Sequence, residues 1–344
     1  MTHISRYFAS YFRYSDGVLP NVLALGLTVF GYPLGIWLLI SPSWGWNALG
    51  CALVVLTLVW SAYFIHEFAH QAIFKTVAAN ARWGTLMSWI NGSCFARFDD
   101  MRRKHMRHHV ERADVITFDA RGFLLAAPVW QRKLVLALEW AYFPAVEFMM
   151  RGFVMLMPFR GGGTAWARAR ILLIGAVRLA GWTLLALASI KALLLYFSAF
   201  LVFITLLRFA DCFQHTYDAY PILDDAPIPA DKVRDRDYEQ LNTFSDIVGM
   251  NHPWLNLLWL NFGFHNAHHE RPTMPWYRLP AYHRELYAND YAQVISVREL
   301  LRSFHINRVK RVLSTDYGQV GAAGASGRAD QFLGAVGVSF LTAV

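Results

Sequence analysis

Eight of the thirteen histidines in this 344-residue chain fall into three clusters. They are His66 and His70, then His105, His108 and His109, then His265, His268 and His269. On a helix, positions i, i+3 and i+4 share one face, with Cβ atoms about 5–6 Å apart. Each cluster therefore aims two or three imidazoles in one direction. So many imidazoles packed together repel one another when protonated. When neutral and near lipid, they need partners for their polar nitrogens. Metal ions meet both demands, because neutral imidazole is the commonest metal ligand. One zinc takes three or four protein ligands, so eight histidines are too many for one ion and suit two. The stretch His66-Glu67-Phe68-Ala69-His70 also satisfies H-E-x-x-H, the pattern of a zinc protease with Glu67 as base. That reading leaves the other two clusters unexplained.

The elements that must carry these clusters are apolar. Of all residues 56% are hydrophobic and 16% charged, where an average soluble domain has about 25% charged. Disorder is excluded for most of the chain, and so is a disulfide scaffold. The three cysteines, Cys51, Cys94 and Cys212, are an odd number and lie in or beside apolar segments. The net charge of +8 belongs to loops that set membrane topology and face anionic lipid. No basic stripe with interleaved aromatics forms a nucleic-acid module, so no nucleic-acid partner is expected.

Four runs approach the roughly 20 residues that span a bilayer: about 18–40, 46–66, 171–188 and 192–209. The links between the first pair and between the second pair are short, which predicts two helical hairpins. A cleaved signal peptide is the rival reading of the first run. That run is too long for one, and no small-x-small site follows it.

Residues 1–17 carry two Lys and Arg, residues 71–170 fifteen and residues 211–344 twelve, while the two hairpin turns carry only Lys191. The basic segments are expected on the cytoplasmic side. That puts both termini and all three histidine clusters there, in an integral multi-pass protein (in a bacterial setting, of the inner or plasma membrane). The expected organisation is a cytoplasmic N-terminal tail (1–17), one membrane-embedded domain (18–313) and a low-complexity tail (314–344). The domain has a cytoplasmic insert (71–170) and a second cytoplasmic region (211–313). The fold class is all-α, four spans under a cytoplasmic helical cap that holds a di-metal site.

Two stretches are read less simply. Residues 121–159 are apolar but interrupted by Glu139, Pro144, Glu147 and Arg151. Buried charge is costly at a bilayer centre, so interfacial helices are expected there rather than a third hairpin. Residues 294–313 are amphipathic, with Leu300, Leu301, Phe304, Val309 and Val312 against Arg298, Arg302, Arg308, Lys310 and Arg311. An interfacial anchor is expected, with a dock for an acidic electron carrier as the alternative. The apolar stretch 332–344 is too short to span and receives no role.

The order and spacing of the clusters resemble the membrane fatty acid desaturase and hydroxylase superfamily. The resemblance runs from about Leu53 to Tyr287. His66-Glu67 and His70 match its first histidine box. Arg102 to His109 match the second, with Glu111 to Asp114 following in the family manner. Phe213-Gln214-His215-Thr216 resembles the Q-H-T segment of many acyl-lipid desaturases. His265-Asn266-Ala267-His268-His269 matches the third box, and Pro272 to Pro280 resembles the tail after it.

The resemblance implies two iron ions held mainly by histidine, O2 activation, and two electrons from outside the chain. By position it adds His215 as a ninth ligand. Asp211, four residues earlier on the same helical face, is a candidate to bind through water or to orient His215; a helix-end charge is the alternative. Glu67, Asp114 and Glu270 are candidates to hold free ring N–H groups, with a surface ion pair as the alternative for the last two. His283 and His305 are expected at the surface, and His252 in a loop.

Imidazole suits Zn, Cu, Fe and Ni alike, so iron rests on the resemblance. The chain has no haem module, no iron–sulfur cysteine cluster and no flavin or nicotinamide fingerprint. The donor is then a separate protein such as a ferredoxin or a cytochrome-type carrier.

The expected reaction removes two hydrogens from a fatty acyl chain, lipid-linked or free. Hydroxylation and decarboxylation of a free fatty acid to a terminal alkene share the same metal site, and the boxes do not separate them. Trp83, Trp89, Phe95 and Trp259 are candidates to line an acyl tunnel or to anchor the chain at the membrane interface. A non-enzymatic metal transporter would place its ligands at mid-membrane, not at the ends of the spans.

Overall fold

The structure, a computed structural model, describes residues 10–161, 163–221, 226–250, 252–288, 293–315, 317 and 333–343. It is predominantly helical and forms two compact units. The first comprises residues 1–98 and 151–206, the second residues 99–150 and 207–344.

Among the described residues, four helices are long and apolar enough to cross a membrane: α1 (Val18–Ile40), α2 (Trp44–Ala69), α8 (Ala165–Ala188) and α9 (Ile190–Asp211). In the first unit, α1 and α2 pack at small residues. A Cβ built on Gly35 would lie 2.9 Å from Val54, and one on Gly50 would lie 2.9 Å from the Gly35 carbonyl oxygen. Close backbone approach of this kind is how helices associate where lipid removes the hydrophobic driving force.

The turn between them is closed by Asn47. Its Nδ2 donates to the carbonyls of Leu38, Leu39 and Ser41 at 3.0–3.1 Å, which serves the orphan acceptors at the end of α1. Lys191 Nζ, at the start of α9, donates to Ser41 O and to Asn47 Oδ1 (2.8 and 2.7 Å). The α8–α9 turn therefore lies beside the α1–α2 turn. α8 is the most exposed span. Leu172, Leu173, Leu179, Leu184 and Leu187 all face outward, a surface fit for acyl chains rather than water.

α8 starts at Ala165, six residues before the expected 171. Thr164 caps it by accepting from Ala167 N. The early turns carry Arg168 and Arg170, and Arg170 is spent on the carbonyls of Cys94, Phe95 and Ala96. The first unit also holds α3 (Val77–Asn91), capped by the Thr76 side chain.

The second unit holds α4 (Phe98–Glu111), α5 (Ala120–Ala126), α6 (Val129–Trp140), α7 (Ala145–Leu156), α10 (Arg236–Leu241), α11 (His265–Glu270), α12 (Leu279–Tyr287) and α13 (Val297–Ile306). Of these, α4 and α7 each extend into the first unit's residues. The strands β1 (Asp114–Val115) and β2 (Ala219–Tyr220) pair in parallel.

Residues 121–159 form three short helices and a 3-10 turn, none long enough to span. Their interrupting Glu139 is buried against Arg208 at 2.5 Å and also accepts from Val146 N. Burying that charge is tolerable only because it is paired and hydrogen-bonded.

The amphipathic reading of 294–313 holds for α13 (Val297–Ile306), which buries Leu300 and exposes Arg298 and Arg302, and fails beyond it. The helix stops at Ile306, and residues 310–313 form a 3-10 turn, so the helical phase breaks. Leu301 is exposed, while Arg311 is 1% exposed with its guanidinium 4.6 Å from the Phe304 ring.

Candidate metal centre

In the second unit, α4 presents His105, His108 and His109, α11 presents His265, His268 and His269, and the segment after α9 presents His215. Local sequence explains the pairing of the first two groups. In both helices the i, i+3, i+4 spacing turns the rings to one side. His108, His215, His265 and His269 offer ligand nitrogens that all lie within 4.8 Å of one another. His105, His109 and His268 do the same.

The protonation of the first group follows from its outer partners. His108 Nδ1 lies 2.8 Å from Asp114 Oδ1. His269 Nδ1 lies 2.9 Å from Glu239 Oε1. A carboxylate accepts, so in the neutral ring each Nδ1 carries the proton and each Nε2 is left bare. His215 Nδ1 lies 3.3 Å from Thr243 Oγ1, whose own hydrogen is committed to Glu239 O at 2.7 Å. His215 Nδ1 therefore donates, and its Nε2 is bare too.

These lone pairs converge. His108 Nε2 is 3.0 Å from His215 Nε2, which is 2.7 Å from His265 Nε2. His269 Nε2 is buried with no hydrogen-bond partner among the described residues. Bare nitrogens facing each other at this range repel, and a cation between them is what their chemistry fits. In the other group, His109 Nε2 lies 3.2 Å from both His105 Nε2 and His268 Nε2.

Burial pushes His105, His215, His265 and His269 well below the usual imidazole range, and neighbouring imidazoles add to it. The same causes bring His268 down to about 3. The rings are thus held neutral, the form that binds metal.

The remaining expected residues fall as follows. His66 and His70 stand one turn apart at the end of α2 in the first unit, with ring centroids 4.8 Å apart, and Glu67 Oε1 is 3.6 Å from His66 Nδ1. Asp211 is the last residue of α9 and lines the cavity beside His215. Glu270 pairs with the exposed Arg236.

His283, expected at the surface, is 0% exposed; α12 turns it against Phe264, 5.4 Å between centroids. Its pKa falls to about 4 through burial. Of the aromatic candidates, Trp89 lies under Arg178 and Trp83 Nε1 donates to Tyr11.

Sequence reasoning missed Glu239, which also binds Arg112 Nε at 2.9 Å, and Thr243. Neither belongs to a spaced motif. Only the capping Asp235 before α10 marks the segment as structured.

A family model described as fatty acid desaturase matches residues 41–300. A search of curated proteins finds no match.

Proposed function

We infer the activity from one premise: this chain belongs to the fatty acid desaturase family. The family implies an oxidoreductase with desaturase- or hydroxylase-type activity. Within that class we propose desaturation of a fatty acyl chain at a two-iron centre held by His66, His70, His105, His108, His109, His215, His265, His268 and His269. The observation that carries it is the convergence of bare imidazole nitrogens of His108, His215 and His269, each fixed by a partner on its far side. Family membership carries His66 and His70 into the set.

The irons would supply O2 binding and the redox chemistry of C–H cleavage. In balance, –CH2–CH2– with O2, two electrons and two protons gives –CH=CH– and two waters. The chain's own residues do the rest. Asp114 and Glu239 hold the protons at Nδ1 of His108 and His269, and so keep Nε2 available. Thr243 does the same for His215. Buried surroundings exclude water, which prevents side reactions of a strong oxidant.

We assign the electrons to a separate donor of ferredoxin or cytochrome type. The four apolar helices seat the protein in a membrane, with both termini and the histidine centre on the cytoplasmic side by the Lys and Arg distribution. The two helical hairpins and a helical cap over the centre belong to the same proposal. Asp211 serves as a water-mediated ligand or as an orienting group for His215.

Mass spectrometry of lipids and volatiles from cells expressing the chain tests the reading, beside a His269→Ala control. A new internal double bond, absent in the control, is expected. A hydroxylated chain, or a terminal alkene one carbon shorter than the fatty acid, would replace desaturation with the corresponding alternative. Full activity in the control would remove His269 from the ligand set.

A further inference from the structure

Residues 333–343, set apart in sequence as a tail without a role, are folded into the second unit. Gly334 and Gly337 adopt φ of +89° and +88°, the left-handed region where glycine is at home. At Gly334 the close approach is real: a Cβ there would lie 2.7 Å from Arg311 Nη1. Ala335 N donates to Cys212 O at 2.8 Å. Lys104, next to the ligand His105, donates from Nζ to Ser339 O, Thr342 O and Thr117 Oγ1 at 2.8, 3.2 and 2.9 Å. All three ammonium hydrogens are thereby used, two of them to hold this segment. Leu341 and Thr342 are each 1% exposed, so the segment is packed as core.

Its side chains meet the histidines. The Phe340 ring lies 5.2 Å from the His105 ring. Phe340, Val338 and Ala335 line a cavity of about 50 Å³ that His105, His108 and His215 also line. Its lining combines imidazoles, carboxylates and an ammonium with apolar side chains, three of them from this segment. Part of this space belongs to the metal ions that the histidines would hold, so its lining and not its volume bears on the substrate. C–H groups offer no hydrogen bond and settle against apolar lining.

We propose that Phe340 is a specificity-determining residue: with Val338 it forms the wall of the reaction cavity against which the reacting carbons of the acyl chain lie. Lys104 is a positioning residue that fixes this wall by holding its backbone. The proposal rests on the desaturase reading and adds to it which part of the chain gauges the substrate.

Two measurements on the full chain in membranes test it. The first irradiates the wild-type protein with a fatty acid carrying a diazirine along its chain, then maps labelled peptides. Label on residues 333–343, displaced by excess ordinary fatty acid, is expected. Label confined to other segments overturns the proposal, and this arm needs no variant to fold.

The second compares products from mixed fatty acids of different length. Phe340→Ala and the gentler Phe340→Leu are expected to change the product ratio, by about tenfold for the larger truncation, since methylene-sized pocket changes discriminate on that scale. Val336→Ala is the control. Val336 packs with Leu124, Met150 and Val312, so its truncation lowers yield without moving the ratio. A ratio unchanged in both Phe340 variants overturns the wall. A wild-type chain that makes no double bond at all defeats the desaturase reading separately, whatever the labelling shows.

Discussion

Helix α8 and helices α4 and α11 are inverted in opposite senses. In α8 large apolar side chains face outward, with Leu187 80% exposed. In α4 and α11 histidines are buried, with His268 at 0% and His105 at 5% exposed. In a water-soluble protein each would be a fault. The first would aggregate, and the second would strand polar nitrogens at a cost of roughly 1–3 kcal/mol each. The contrast teaches that the two regions are built for different surroundings. α8 has the surface of a helix solvated by hydrocarbon. The histidine helices bury clusters that could hold a metal ion, with a carboxylate behind His108 and another behind His269. Neither arrangement is stabilised by water, and neither region could carry the other's residues.

The largest effect is expected from forcing the wrong kind of residue onto the first region. Leu179→Asp puts a charge on the exposed face of α8, at a cost of about 3–4 kcal/mol for insertion near a helix centre. The variant should leave the carbonate-resistant membrane fraction; retention there at wild-type level would break the lipid half of the contrast.

Next come the residues behind the rings. Asp114→Asn and Glu239→Gln keep a polar group but remove the charge that fixes Nδ1–H. Each should lower metal affinity by about 10–100-fold, read as metal retained after dialysis against a chelator. Unchanged retention in both would mean that the carboxylates are only core packing.

Acid should act on the second region through the same rings. The folded pKa of His105, His215, His265 and His269 is depressed below the unfolded value of about 6.5. The unfolded chain therefore binds more protons as pH falls, and stability is lost progressively below about pH 6.5. Thermal unfolding in detergent from pH 8 to pH 5 should show a falling midpoint beginning in that window. A midpoint independent of pH would contradict neutral, buried imidazoles.

The smallest effect is expected at Arg236, whose pair with Glu270 lies at the surface. Arg236→Ala should change stability by less than about 1 kcal/mol and leave metal content unaltered. A large loss of metal would move Glu270 into the centre.

Periodic features were legible in the sequence, and long-range ones were not. The four apolar runs and the i, i+3, i+4 histidines needed only local spacing, and α1 runs over the expected 18–40. Helix ends were less legible where charge entered the first turns, as at Arg168 and Arg170 of α8. The amphipathic phase of 294–313 was legible as far as Ile306 and not beyond, because nothing in the local pattern marks the break there. Glu239 reaches His269 across 30 residues, and Lys104 reaches Ser339 across 235. Such pairings depend on tertiary packing, which spacing does not report. His283 was expected at the surface, and only the packing of α12 against Phe264 shows it buried.

The central claim is that these histidines hold two irons. Its most direct test is elemental analysis of the purified full-length protein, with Mössbauer spectroscopy of the iron-57-loaded form, beside His265→Ala. Two irons per chain, with loss of iron in the variant, is the predicted result. One ion per chain at saturation, or zinc in place of iron in a preparation that desaturates lipid, would contradict it.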